Sequence, residues 1–109
     1  MGALSAPDAA RGIFWQVRAF DFNQRVEPTG KWWLENRRRE PKGLVIFQYA
    51  AQGRMLYRDR NGDREVPAGW AALLVLGEDS AYGLPAEFGA PFHTQWVTLE
   101  GAGLPEHIG

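Results

Sequence analysis

Apolar residues along this chain come in short runs broken by glycine, proline and charge. "LVIFQYAA" (Leu44–Ala51), "RMLYRDR" (Arg54–Arg60), "WAALLVL" (Trp70–Leu76) and "FHTQWVTLEG" (Phe92–Gly101) are such runs, rich in large apolar and aromatic residues. "IFWQVRAF" (Ile13–Phe20), "DREV" (Asp63–Val66) and "SAYGLP" (Ser80–Pro85) add further short strands. "GKWWLENRRREPKG" (Gly30–Gly43) holds a strand that runs out into charge and a proline turn. No apolar stripe at helical spacing has useful length, and there is no repeat or low-complexity segment. Short strands with a turn signal at nearly every join predict an all-β fold, with no helix longer than about two turns.

The stretch Tyr57–Leu76 sharpens this reading. Asn61-Gly62 predicts a type I′ hairpin, because both central residues of that turn need φ > 0. Pro67-Ala68-Gly69 is a second corner a few residues later. Two turns so close leave room only for short strands. The continuous apolar run that follows, Trp70–Leu76, predicts a strand covered on both faces.

Composition narrows the function classes. The chain has 109 residues, enough for one domain, and 45% of them are hydrophobic. A net charge of −1 leaves no electrostatic footprint for nucleic acid. No apolar run approaches the roughly 20 residues of a membrane helix, so no membrane partner is expected. The start "MGALSAPDAARG" lacks the basic and long apolar regions of a secretion signal. Met1-Gly2 opens like a myristoylation signal, yet Ala6 stands where Ser or Thr is needed. Without cysteine there is neither disulfide nor thiol chemistry, and the cytoplasm is the expected compartment. Residues 1–12, small and polar, are expected to form a mobile arm, and 13–109 the domain itself.

"GRMLYRDRNGDREVPAGWAALLVLGEDSAYGLP" resembles the G-x…-PG-…-GE-x-H-x-Y-G layout of the cupin-like, arabinose-binding-like effector domain of AraC-type transcription regulators. "ENRRREPKGLVIFQYAAQG" and "FHTQWVTLEG" are similar to the flanking segments of that family, so the resemblance spans Ile13 to Gly101. It implies a double-stranded β-helix, a cupin-like jelly-roll barrel, whose interior binds a small effector such as a sugar. In the family, helices that dimerise the protein and a DNA-reading half follow this domain. The chain ends at Gly109. DNA contact is therefore expected only through a further domain, and the chain itself as a monomer or weak homodimer.

The resemblance also implies a ligand set. Arg37 matches the family position whose guanidinium reaches sugar hydroxyls, and a planar five-donor fork suits them. Strand alternation would put Trp33, Glu35 and Arg37 on one face; alternatively, Arg37-Arg38-Arg39 is a solvated strand end. Tyr82 matches a tyrosine that bonds the effector, and Trp96 a tryptophan that stacks on it; each is otherwise a core residue. Thr94 holds the place of a family histidine, while His93 falls on the opposite face unless a bulge intervenes. Phe14 or Trp15 would line the mouth, and Pro7 of the arm would approach the ligand.

No cofactor and no catalysis are expected. A cupin metal site needs two or three histidines and a carboxylate, and the chain has only His93 and His107. Ser80-Ala81 stands where a cupin histidine would follow Gly77-Glu78, and neither Ser5 nor Ser80 has an evident base. The rival readings are a small standalone cupin enzyme and a ligandless β domain used for protein contacts.

Overall fold

The computed structural model describes residues 15–101. The expected arm, with Ser5 and Pro7, lies outside the described residues, as do Ile13, Phe14 and His107. Eight strands follow in order: β1 (Gln16–Val26), β2 (Trp33–Glu35), β3 (Val45–Gln52), β4 (Arg54–Asp59), β5 (Gly62–Pro67), β6 (Ala71–Val75), β7 (Ser80–Gly83) and β8 (Phe92–Glu100). Among the described residues the helical pieces are two three-residue 3₁₀ turns, Asn36–Arg38 and Ala86–Phe88.

Two four-stranded antiparallel sheets carry the strand orders β1-β8-β3-β6 and β2-β7-β4-β5. Apart from the β4–β5 hairpin, each successive strand sits in the opposite sheet. That alternation winds the chain into a double-stranded β-helix, the jelly roll, with the core between its sheets. Val26, Leu44, Ile46, Ala50, Met55, Leu74, Leu84 and Phe92 fill it, and Met55, Ala50 and Phe92 have no exposure at all.

The turns are built from the expected residues, though not all in the expected way. At the Pro67 corner, Trp70 N–H donates to the Pro67 carbonyl at 3.1 Å, with Gly69 at φ +92°. Gly69 N–H also donates to the Ala50 carbonyl at 2.8 Å, and Trp70 accepts from Ala50 N–H at 2.9 Å, so the corner is tied to β3. The hairpin at Asn61-Gly62 is not type I′. Among the described residues none except glycine has positive φ, so Asn61 does not adopt the required conformation. Asp59 pairs with Gly62, which centres the turn on Arg60 and Asn61. The Asp59 carboxylate accepts the Asn61 N–H at 2.8 Å and holds that centring. The hairpin stems are exposed and charged, with Arg58 bonded twice to Asp63 (2.8 and 3.1 Å) and Arg54 paired with Glu65.

The Trp70–Leu76 run is covered on one face for most of its length, with Val75 alone buried on the other, which corrects the expectation of a doubly covered strand. Ala72, Leu74 and Leu76 face the interior, whereas β6 lies at a sheet edge with Ala71, Leu73 and Trp70 exposed. The apolar outward residues meet one another across the strands instead of a second layer. Phe20, Val97, Phe47 and Leu73 stand in one cross-strand row over all four strands of the first sheet. Val17, Leu99, Val45 and Val75 form the next row. Such pairs stabilise a sheet by lateral packing even where the face meets water.

The adjacent tryptophans divide as a strand requires. Trp32 packs on the core, and Trp33 lies outside under the Arg58 guanidinium, 5.0 Å from the ring centroid. β2 can approach β7 this closely because Gly83 has no side chain; a methyl there would run into the Trp32 carbonyl and the Trp33 ring. Gly83→Ala is accordingly expected to lower stability by about 1–3 kcal/mol, as overpacking does. Urea denaturation checks this, and an unchanged midpoint would mean that β2 is not pinned to β7.

Candidate functional site

A cavity of about 310 Å³ lies between the two sheets. β1 contributes Ala19 and Gln24 to its wall, β3 contributes Ile46 and Gln48, and β8 contributes Trp96 and Thr98. The other sheet supplies Leu34 and Tyr82, and Trp32, Arg39, Leu44 and Leu76 come from strand ends and connections. Ala19 is exposed and marks the edge toward solvent, while Ile46, Gln48 and Tyr82 at the back are almost wholly buried.

The inward side chains of β8 follow from its register. Phe92, Thr94, Trp96 and Thr98 point in; His93, Gln95, Val97 and Leu99 point out. Trp96 indole N–H donates to Gln24 Oε1 at 2.9 Å. Gln24 reaches that point because β1 shifts register between Asp21 and Gln24, which sets Gln24 opposite Thr94. Gln48 Nε2 donates to Thr94 Oγ1 at 2.6 Å, and Thr94 Oγ1 donates to the Tyr49 carbonyl at 2.7 Å. Thr94 thus holds Gln48 in place and does not itself line the cavity.

Arg39 is the charged group of this cavity. Its Nη1 donates to Tyr82 Oη at 2.7 Å and to Asn36 Oδ1 at 3.2 Å, and the guanidinium carbon lies 5.8 Å from the Tyr82 ring centroid. Asn36 is fully buried and acts as a hub. Its Nδ2 donates to Ser80 Oγ at 2.9 Å, and its carbonyl accepts Gly77 N–H at 2.7 Å and Arg39 N–H at 3.1 Å. Trp32 meets Tyr82 edge-on at 5.5 Å and Phe92 at 5.8 Å. Burial pushes the Tyr82 phenol above its ordinary value, and the positive charge and hydrogen bond of Arg39 oppose part of that shift.

The expected ligand residues are therefore divided. Tyr82 and Trp96 line the cavity together. Arg37 does not: it is exposed and lines a separate outer recess with Arg38, Arg58, Arg60, Glu35, Asp59 and Asp79. A 3₁₀ turn over Asn36–Arg38 breaks the strand alternation that would have put Arg37 beside Trp33. At three residues per turn, Asn36 and Arg39 come to one side and Arg37 and Arg38 to the other. His93 is half-buried on the outer side of β8, opposite Arg25 and Gln52, so no bulge turns it inward. Trp15 precedes β1, is 56% exposed and stands apart from the cavity.

Arg39, Gln24, Gln48, Trp32 and Thr98 complete the wall. Gln48 had a legible signal: it is the lone polar residue inside an apolar strand, in phase with Ile46 and Ala50. Gln24 had none, because its inward position depends on the β1 bulge. The outer recess is also about 310 Å³, but its charges are mixed and partly paired, with Arg38 and Glu35 at 3.5 Å. Exposed pairs of this kind are screened and contribute little.

The cavity wall does not suit a metal. It presents a guanidinium, amides, a phenol, an indole and a hydroxyl, with neither imidazole nor carboxylate among the described residues. Among those residues no group of three or more histidine or acidic side chains could hold a metal ion, and no helix is long and apolar enough to cross a membrane.

A crystal structure of the Cupin_2 domain of an XRE-family transcriptional regulator from Enterobacter cloacae is similar over 79% of this chain and 94% of that one, with 9% identity and a TM-score of 0.48. No protein-family model and no curated protein matches the sequence.

The hub yields a paired prediction. Asn36→Ala takes from Ser80 Oγ its Asn36 partner and from Arg39 Nη1 one of its two bonds, and is expected to cost about 1–3 kcal/mol of stability. Arg37→Ala, on the solvated side of the same turn, is expected to change it by less than about 0.5 kcal/mol. Melting of the two variants side by side checks this; equal losses would contradict the assignment of sides.

Proposed function

We propose that this domain is a noncatalytic receptor that encloses a small polar organic molecule in its barrel. In this reading it is the effector-sensing domain of a cytoplasmic, AraC-type transcription regulator, and DNA is contacted by another domain. The observation that carries the reading is the cavity itself: a recess between the sheets, apolar on most of its wall, with a few fixed polar groups converging on it. That composition is what small-molecule sites have in common. Its volume of about 310 Å³ lies at the small end of their range, roughly 300–1,000 Å³. Trp96 offers a flat face to a ligand ring, and Arg39, Tyr82 and Gln48 offer polar contacts, the roles expected of a sugar-like effector.

The absence of catalysis in this reading rests on the same wall. General acid–base chemistry near neutral pH calls for a group that exchanges protons there. Among the described residues the cavity wall carries neither carboxylate nor imidazole, and burial pushes its Tyr82 phenol above the ordinary value.

A thermal-shift panel of sugars and small organic acids tests the receptor reading. A true ligand at 100 times its dissociation constant should add about 2.7 kcal/mol of stability. Ala19→Trp, which places bulk at the cavity edge, should abolish the shift without unfolding the domain. A shift that survives Ala19→Trp would put the ligand elsewhere, and no shift with any compound would favour a ligandless domain.

Self-association belongs to the other side of the first sheet. The exposed row Phe20–Val97–Phe47–Leu73 is the surface through which we expect two copies to pair weakly. Sedimentation at micromolar concentration should show a monomer or a weak monomer–dimer equilibrium that Phe47→Lys shifts to monomer. A tight dimer indifferent to Phe47→Lys would overturn this.

A further inference from the structure

The charge in the cavity is unbalanced in a way that names a ligand class. Five exposed arginines of this domain are paired with carboxylates: Arg18, Arg25, Arg38, Arg54 and Arg58. Arg39 is half-buried, and its partners, Tyr82 and Asn36, are both neutral. A guanidinium carries five N–H donors, and the bonds of Arg39 to Asn36 and Tyr82 both leave from Nη1. Among the described residues no hydrogen bond or ion pair engages its Nε or Nη2. Nor, among those residues, does any side-chain nitrogen or oxygen sealed from solvent lack a partner. Among the described residues these two nitrogens are left without a partner, on a side chain that lines the cavity.

Much of the same wall is apolar: Trp32, Leu34, Leu44, Ile46 and Leu76. None of the described lining residues is acidic. A neutral polyol would leave the positive charge uncompensated in a partly desolvated site. A carboxylate would do the opposite. Its two oxygens match the open edge of the guanidinium fork, with Nη1 held in place by Tyr82 and Asn36. Its hydrocarbon body would lie against the leucines, Ile46 and the tryptophan.

We propose that the barrel binds a small organic monocarboxylate with an apolar body, its carboxylate on Arg39. This deepens the receptor reading and rests on it.

The experiment is titration calorimetry of the protein with phenylacetate and 3-methylbutanoate, each against its own neutral amide, and with L-arabinose as a polyol. At least one acid should bind about tenfold or more tighter than its amide, as a hydrogen bond to a charged partner predicts. Arg39→Lys, which keeps the charge and loses the fork, should weaken that acid about fivefold or more and leave the amide unchanged. The acid–amide contrast is read on the unaltered protein, so it stands even if Arg39→Lys fails to fold. If amides or arabinose bind as tightly as the acids, the carboxylate class is wrong while the receptor reading survives. If none of the probes binds, the carboxylate class falls, and a broader compound panel with the Ala19→Trp control decides the receptor reading separately. If an acid binds equally well to parent and Arg39→Lys, the placement on Arg39 is overturned.

Discussion

A guanidinium in the wall of an otherwise apolar barrel sets the terms for its surroundings. Taking a charge even partly out of water is costly unless polar groups replace the lost solvent. Arg39 meets that requirement with Tyr82 Oη and Asn36 Oδ1. Asn36 can serve only because it is fixed in turn, by Ser80 through its side chain and by Gly77 through its carbonyl. The chain of partners links the 3₁₀ turn after β2, the β6–β7 connection and β7 itself. The most ordered polar part of the barrel is thus also the part that positions its charge. Buried polar networks are most effective when every member is satisfied, and among the described residues no sealed side-chain polar atom lacks a partner.

The two faces of the first sheet are specialised in opposite senses. Inward it carries Gln48, Thr94, Trp96 and Thr98 among the apolar positions, and the Gln48–Thr94–Tyr49 and Trp96–Gln24 bonds hold them. Outward it carries rows of apolar side chains, several of them more than half exposed, including Phe20 and Phe22 stacked at 5.0 Å. The enclosed face is thus an apolar core with a few polar groups set into it, and the open face carries more apolar surface than the usual alternation of a half-buried antiparallel sheet provides.

Much of the architecture was legible because it depends on local chemistry. Strand positions followed from runs of β-branched and aromatic residues, and their ends from glycine and proline. The corner at Pro67-Ala68-Gly69 formed as its residues require. What failed did so at points where two local rules compete. Asn61-Gly62 satisfies the composition of a type I′ turn, but the Asp59 carboxylate captures the Asn61 N–H and recentres the corner. The apolar run Trp70–Leu76 read as doubly covered because apolarity records avoidance of water, not what lies opposite; at a sheet edge the same residues face outward into a cross-strand row.

The site shows the same division more sharply. Short turn-bounded runs already called for an all-β jelly roll or barrel, and the family resemblance singled out Tyr82 and Trp96, which the fold places together on the cavity wall. Alternation within a strand is a period of two, and it can be counted without knowing the fold. Tertiary structure alone decided which arginine of Arg37-Arg38-Arg39 enters the barrel. Docking of Asn36 against Ser80 and Gly77 imposes a turn with a period of three, and the inward position moves from Arg37 to Arg39. It also decided that Gln24 meets Trp96, since a register shift between two strands is a property of their pairing and belongs to neither strand's sequence.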